Sequence, residues 1–172
     1  MKRKGTEGMI PSNGPYIQIL NKKTVYYFLP MSRYGAGEVK AVRQNCRMTQ
    51  REFAGLFGIS SKTLEAWEQG LNTPGSAAAR LLDILGYDYG FAREIAKQPL
   101  KEYDGEAVKT VRKKLGLPRK LFALAIGVSE RACESWEQNR SVPNGPASRL
   151  LCLLEQEPDM PGLLMEEGNE AI

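Results

Sequence analysis

No histidine occurs anywhere in the 172 residues. That absence excludes Ser-His-Asp and Cys-His catalysis, imidazole acid–base chemistry and any Cys/His zinc finger. The three cysteines, Cys46, Cys133 and Cys152, are far apart and form no CxxC pair. Neither a disulfide framework nor a metal site is therefore expected; the thiols read as small core residues in a reduced compartment. No apolar run approaches the roughly 18 residues of a membrane-spanning helix, so no membrane association is expected. The start MKRKGTEGMIPSNG is basic, but no apolar stretch follows to complete a secretory signal. A cytoplasmic protein is the expectation. Hydrophobic residues make up 42% and charged residues 26% of the chain, the balance of a globular protein rather than a disordered one.

What is present is a repeat. Sliding the chain along itself until Val39 falls on Val108 brings VKAVR (Val39–Arg43) onto VKTVR (Val108–Arg112). Without a gap, Phe53-Ala54 falls on Phe122-Ala123, Gly58 on Gly127 and Ser60 on Ser129. Glu65-x-Trp67-Glu68-Gln69 falls on Glu134-x-Trp136-Glu137-Gln138, and Pro74, Arg80, Leu81 and Leu82 on Pro143, Arg149, Leu150 and Leu151. Between 39 and 85, 18 of 47 positions are identical, and the two tryptophans of the chain align with each other. One module has been used twice.

Each copy reads as a string of short helices. In the first, Val39, Val42 and Cys46 recur at helical spacing and predict a helix over 38–47. Thr49-Gln-Arg-Glu52 is a capping box opening a second helix, which carries Phe53, Leu56 and Phe57 inward and stops at Gly58. Ile59 plugs the core across the turn. Ser60 caps a third helix running to Gln69, with Leu64 and Trp67 inward. A loop through Pro74-Gly75 leads to a fourth helix, 76–85, and GYDYGFAREIAKQ predicts a fifth over 86–98. The second copy repeats the pattern, except that Pro118 replaces Thr49 and Leu121 replaces Glu52, which removes the capping box. A short helix, a glycine turn and another short helix is helix-turn-helix geometry. Ala54 and Ala123 sit where the paired helices touch, and the turn glycines sit where a left-handed conformation is needed.

These residues resemble the Cro/phage-repressor (Xre) family of helix-turn-helix domains in both copies. GVSERACESWEQNRSVPNGPASRLLCLLE is similar to the subgroup found in bacterial antitoxins and small autorepressors. The resemblance covers 39–85 and 108–154 and implies a mainly α fold of two tandem four- or five-helix domains; a short β-hairpin is expected to precede them. The expected boundaries are a flexible arm at 1–14, a hairpin at 15–37, a first domain at 38–98, a linker at 99–105, a second domain at 106–158 and an acidic tail at 159–172.

In that geometry the second helix of each motif lies in the major groove of double-stranded DNA. Its outward residues are Ser61, Lys62, Glu65 and Ala66 in one copy and Glu130, Arg131, Glu134 and Ser135 in the other. Lys62 and Arg131 are the best candidates for reading base edges. Glu65 and Glu134 either accept from cytosine N4 or pair with Lys62 and Arg131 at i, i+3. Helix starts and their loops supply candidate phosphate contacts: Thr49, Gln50, Arg51, Ser60 and Asn72, then Arg119, Lys120, Ser129, Arg140 and Asn144.

Charge follows the same division. The net charge is +2 over 39–85 and +6 over 108–154, against −2 over the connector 86–107 and −6 over 155–172. The basic excess lies on the modules and on the segment 1–38, as phosphate contact requires. The strand-prone stretches Tyr16–Leu20 and Thr24–Leu29 suggest a hairpin that packs on the first module or forms a homodimer. The expected function is a sequence-specific DNA-binding repressor. The alternative is an antitoxin that binds a toxin and represses its own operon. An enzyme is not expected, because the carboxylates are scattered and no nucleophile has a plausible base. If the two modules act in parallel, their half-sites should lie about 34 Å apart, one helical turn, with the second module docking at high local concentration.

Overall fold

The computed structural model describes residues 17–21, 24–28, 33–87, 89–156 and 165–169. The expected arm at 1–14 and most of the expected tail lie outside these residues. The molecule is mainly helical. Its helices are α1 (Ala36–Asn45), α2 (Gln50–Phe57), α3 (Ser61–Glu68), α4 (Ser76–Tyr87), α5 (Phe91–Ala96), α6 (Gly105–Lys114), α7 (Arg119–Ile126), α8 (Glu130–Glu137) and α9 (Gly145–Gln156). Strands β1 (Ile17–Asn21), β2 (Thr24–Phe28) and β3 (Met165–Asn169) form an antiparallel sheet in the order β1-β2-β3. β3 falls within the segment expected to be a solvated tail. Among the described residues no helix is long and apolar enough to cross a membrane.

Helices α6 to α9 repeat α1 to α4 one for one, at the same offset that aligns the two halves of the sequence and with the same lengths. Local chemistry explains most of the boundaries. Glu52 Oε2 accepts the Thr49 N–H at 2.8 Å while Thr49 Oγ1 accepts the Glu52 N–H at 3.3 Å, closing the capping box of α2. α7 starts after Pro118 with no side-chain cap. Ser60 Oγ and Ser129 Oγ accept from the N–H groups of Thr63 and Ala132 and open α3 and α8. Gly58 (φ +64°) and Gly127 (φ +76°) turn the chain between the paired helices in the left-handed region.

Two expected helix assignments need correction. The first helix runs from 36 to 45 rather than 38 to 47, because Gly35 and Glu38 together form its N-terminal cap. The fifth helix is only Phe91–Ala96, since α4 continues to Tyr87 and uses residues assigned to its successor. The expected linker at 99–105 is tied to the helix α9. Tyr103 is buried and donates its hydroxyl to Glu155 Oε2 at 3.0 Å, and Lys101 Nζ lies 2.6 Å from the same oxygen. Gly105 already belongs to α6.

Within each half the apolar faces meet as the periodicity demands. Phe53, Phe57, Leu64 and Trp67 are buried, with the Phe53 and Phe57 rings 4.8 Å apart and Trp67 edge-on to Phe57 at 6.1 Å. Phe122, Ile126, Cys133 and Trp136 are their buried counterparts. The halves then pack on each other, α4 against α9 and α2 against α9, and their buried residues form one continuous hydrophobic cluster. At the seam the backbones touch: a Cβ on Gly145 would overlap the Gly58 carbonyl group and lie 2.8 Å from Phe57 O. Gly145→Ala should therefore lower stability by about 1–3 kcal/mol through overpacking. Gly55→Ala, where an added Cβ meets nothing within 4 Å, should raise it by roughly 0.5–1 kcal/mol. Urea midpoints of the two variants check both signs.

Candidate nucleic-acid interface

α3 rests on α1 and α2, and α8 rests on α6 and α7, so each of the two short helices keeps one face free. On α3 the expected readers Lys62 and Glu65 are exposed, while Ser61 and Ala66 are half-buried. On α8 Glu130 and Arg131 are exposed, and Glu134 and Ser135 are half-buried. The i, i+3 pairing does not form. Among the described residues no ion pair joins Lys62 to Glu65 or Arg131 to Glu134. Glu134 Oε1 instead accepts from Gln138 Nε2 at 3.2 Å and faces Arg140 Nη2 at 3.9 Å. Ser135 Oγ lies 2.8 Å from Ser141 Oγ, which ties the helix to its following loop.

The opposite end of each helix is clamped. Glu68, 5% exposed at its side chain, accepts from Arg43 Nε at 2.5 Å, Arg43 Nη2 at 3.0 Å and Gln50 Nε2 at 2.8 Å. Arg43 Nη1 also reaches Met48 O at 3.1 Å. Glu137, 4% exposed, accepts from Arg112 Nε at 2.5 Å and Arg119 Nη2 at 3.0 Å, and Arg112 Nη1 reaches Leu117 O at 3.2 Å. One carboxylate in each half thus joins three helices. Burial pushes both carboxyl groups up, but the guanidinium and amide donors outweigh it, and both end below the usual carboxylate range.

The clamps change the reading of two expected phosphate contacts. Gln50 and Arg119 commit their side-chain heads to Glu68 and Glu137, which leaves their backbone N–H groups at the helix starts. A side chain of suitable length next to a buried carboxylate finds a stronger partner there than in solvent. Thr49, Ser60, Ser129 and Asn144 use their side-chain oxygens as caps, the last accepting the Ala147 N–H at 3.0 Å. Arg51, Lys120 and Asn72 are exposed, and Arg140 is exposed beside its distant carboxylate. The exposed Leu71 and Val142, in the loops after α3 and α8, are apolar surface that sequence reasoning misses. A signal for the clamps does exist in the sequence: the pairs Arg43 and Glu68, and Arg112 and Glu137, stand at one and the same spacing in the two copies.

Burial makes the Cys46 and Cys133 thiols poor nucleophiles. It pushes Cys46 up to about 11 and Cys133 up to about 12, so both stay protonated near neutrality. Among the described residues no group of three or more Cys, Asp or Glu side chains is placed to hold a metal.

Antitoxin HigA-2 of Vibrio cholerae is 39% identical to this chain over 54 residues, 31% of the chain and 52% of that protein. The chain thus spans about half the length of the curated relative it matches. No family model matches the chain. No solved structure matches it.

The clamps predict acid sensitivity. Glu68 and Glu137 hold their protons less tightly when folded than the ordinary carboxyl group at 4.5. Below that value the unfolded chain takes up protons that the native state refuses, so stability should fall as pH drops. Glu137→Ala should cost about 3–5 kcal/mol at pH 7, because it strands two guanidinium groups. It should also flatten the slope of stability against pH below 4.5. Urea titrations between pH 3 and 7 read both effects.

Proposed function

We propose that this protein is a sequence-specific double-stranded DNA-binding regulator, a repressor in which α3 and α8 are the recognition helices of two tandem helix-turn-helix domains. The observation that carries the reading is the repeated constellation around each helix. A buried indole and a clamped glutamate hold its inner face and C-terminal end, while Lys62 or Arg131 stands on the outer face near its start, with no ion pair to either among the described residues. Recognition helices meet base edges with that N-terminal half. Arg131 can grip guanine O6 and N7 with two bonds, whereas Lys62 offers a single mobile charge. Ser61, Glu65, Ala66, Glu130, Glu134 and Ser135 complete the reading faces. Arg51, Lys120, Arg140 and Asn72 are suited to phosphates through their side chains, and the helix starts at Thr49-Gln50, Ser60, Pro118-Arg119, Ser129 and Asn144 through backbone N–H groups. Leu71 and Val142 are suited to meet sugar or thymine methyl groups.

A second reading has specific support. The likeness to an antitoxin favours a chain that also binds a toxin and represses its own operon. A small toxic protein encoded beside this gene would favour it further.

Binding to the DNA upstream of the protein's own gene, followed against salt, tests the first reading. Arg131→Ala and Lys62→Ala should each cost about 1–3 kcal/mol on the preferred sequence and leave the salt slope nearly unchanged. Lys120→Ala should weaken all sequences alike and reduce the slope by about 1. Loss of neither sequence preference nor affinity in the first two variants would remove α3 and α8 as readers.

A further inference from the structure

We propose that the seam between the halves is a rigid internal interface, so that a single chain sets α3 and α8 on one duplex bearing two unequal half-sites at one fixed spacing. This rests on the reading of α3 and α8 given above and goes beyond it. Two readers on a slack tether would tolerate many spacings, whereas two readers on one body tolerate one.

The seam has the chemistry of a protein interior. Arg149, 2% exposed, donates from Nε to Leu56 O at 2.7 Å and from Nη1 to Gln98 O at 3.0 Å and Ile95 O at 3.4 Å. Its guanidinium, which cannot shed its proton, thus serves carbonyls at and just beyond the ends of α2 and α5, where the helix dipole favours a cation. Arg80, 3% exposed, occupies the matching position in the first half and donates from Nη2 to Leu124 O at 3.3 Å in the second. Parting the halves would strand these groups and open a continuous apolar core. The connector is anchored at its second end, where Tyr103 and Lys101 are held by Glu155 on α9.

The seam also distinguishes one half from the other. Gly145 meets Gly58 where no Cβ fits, and the residue that matches Gly145 in the first half is Ser76. Two first halves from separate chains would bring Ser76 against Gly58 and could not close in the same way. The contact as it stands joins unlike halves of one chain, and a pair of first halves does not reproduce it. The readers differ too, with Lys62 matched by Arg131 and Ala66 by Ser135. A duplex that fits both carries two different half-sites rather than a palindrome.

Selection from a random-sequence duplex pool with the full-length protein, followed by the mass of the selected complex, tests the partner. Expected are one chain per duplex and two dissimilar half-sites. Insertion of five base pairs between them should weaken binding at least a hundredfold. Two chains per duplex, a palindrome, or a loss of only a few-fold on insertion would overturn the proposal while leaving DNA binding intact. A pool that enriches nothing would defeat the DNA reading itself. The seam is tested separately, without DNA. Spin labels on Gln69→Cys and Gln138→Cys, both exposed positions, should give one narrow distance distribution in the free protein, and Arg149→Gln should broaden it. A broad distribution in the parent double variant would overturn the rigid seam. The native thiols are buried and should stay unlabelled, which labelling of the parent chain checks.

Discussion

A carboxylate withdrawn from water at the end of a two-turn helix governs the rest of this molecule. A helix as short as α3 or α8 cannot hold itself together in water, so both exist only because their surroundings hold them. The indole beneath each helix supplies apolar area but little direction. Direction comes from Glu68 and Glu137, because a guanidinium fork accepts a carboxylate in few geometries. Arg43 and Arg112 reach across from α1 and α6, and their remaining nitrogen atoms bind the carbonyl groups of Met48 and Leu117. Each arginine therefore ties its own helix, the loop that follows and α3 or α8 in one network. Removing one partner of such a buried pair strands the other, so the arrangement holds only with both in place.

The second constraint works at larger scale. Arg80 and Arg149 sit among leucines and alanines, where a solvated arginine has no place, and each directs donors to the backbone of the other half. Hydrogen bonds from an ionised donor to helix-end carbonyls are strong in a site that excludes water. With the close approach of Gly58 and Gly145, they make the two halves one body.

The local features are legible in the sequence because local chemistry determines them. The capping box at Thr49, the left-handed glycines, the small Ala54 and Ala123 and the inward tryptophans all follow from residues within a few positions of one another. The fifth helix is less legible, because Gly86 suggests a stop that α4 does not take. The connector misleads for another reason: the surroundings of Tyr103 are set by α9, far along the chain. The clamps and the seam arginines show in the alignment as identities without a role. Glu68 finds Arg43 and Arg149 finds Leu56 from distant parts of the chain, so the repeated spacing marks the clamp residues without showing that they meet. Gln50 and Arg119 show the same limit: their position at helix starts suggests an anion, yet each turns back to a buried acid. An arginine flanked by apolar residues in AAARLLDIL and PASRLLCLL is the clue that one face of α4 and α9 hides a charge.

The unlike halves have a consequence for inheritance. In a symmetric pair of identical subunits, every coding change strikes both surfaces at once, and a gain on one side is mirrored on the other. Here a codon altered in α8 leaves α3 untouched, so the exposed face of one helix can change while the other keeps its own residues. The two copies differ at more than half of their aligned positions, yet the arginine and glutamate of each clamp and the seam arginine are the same in both.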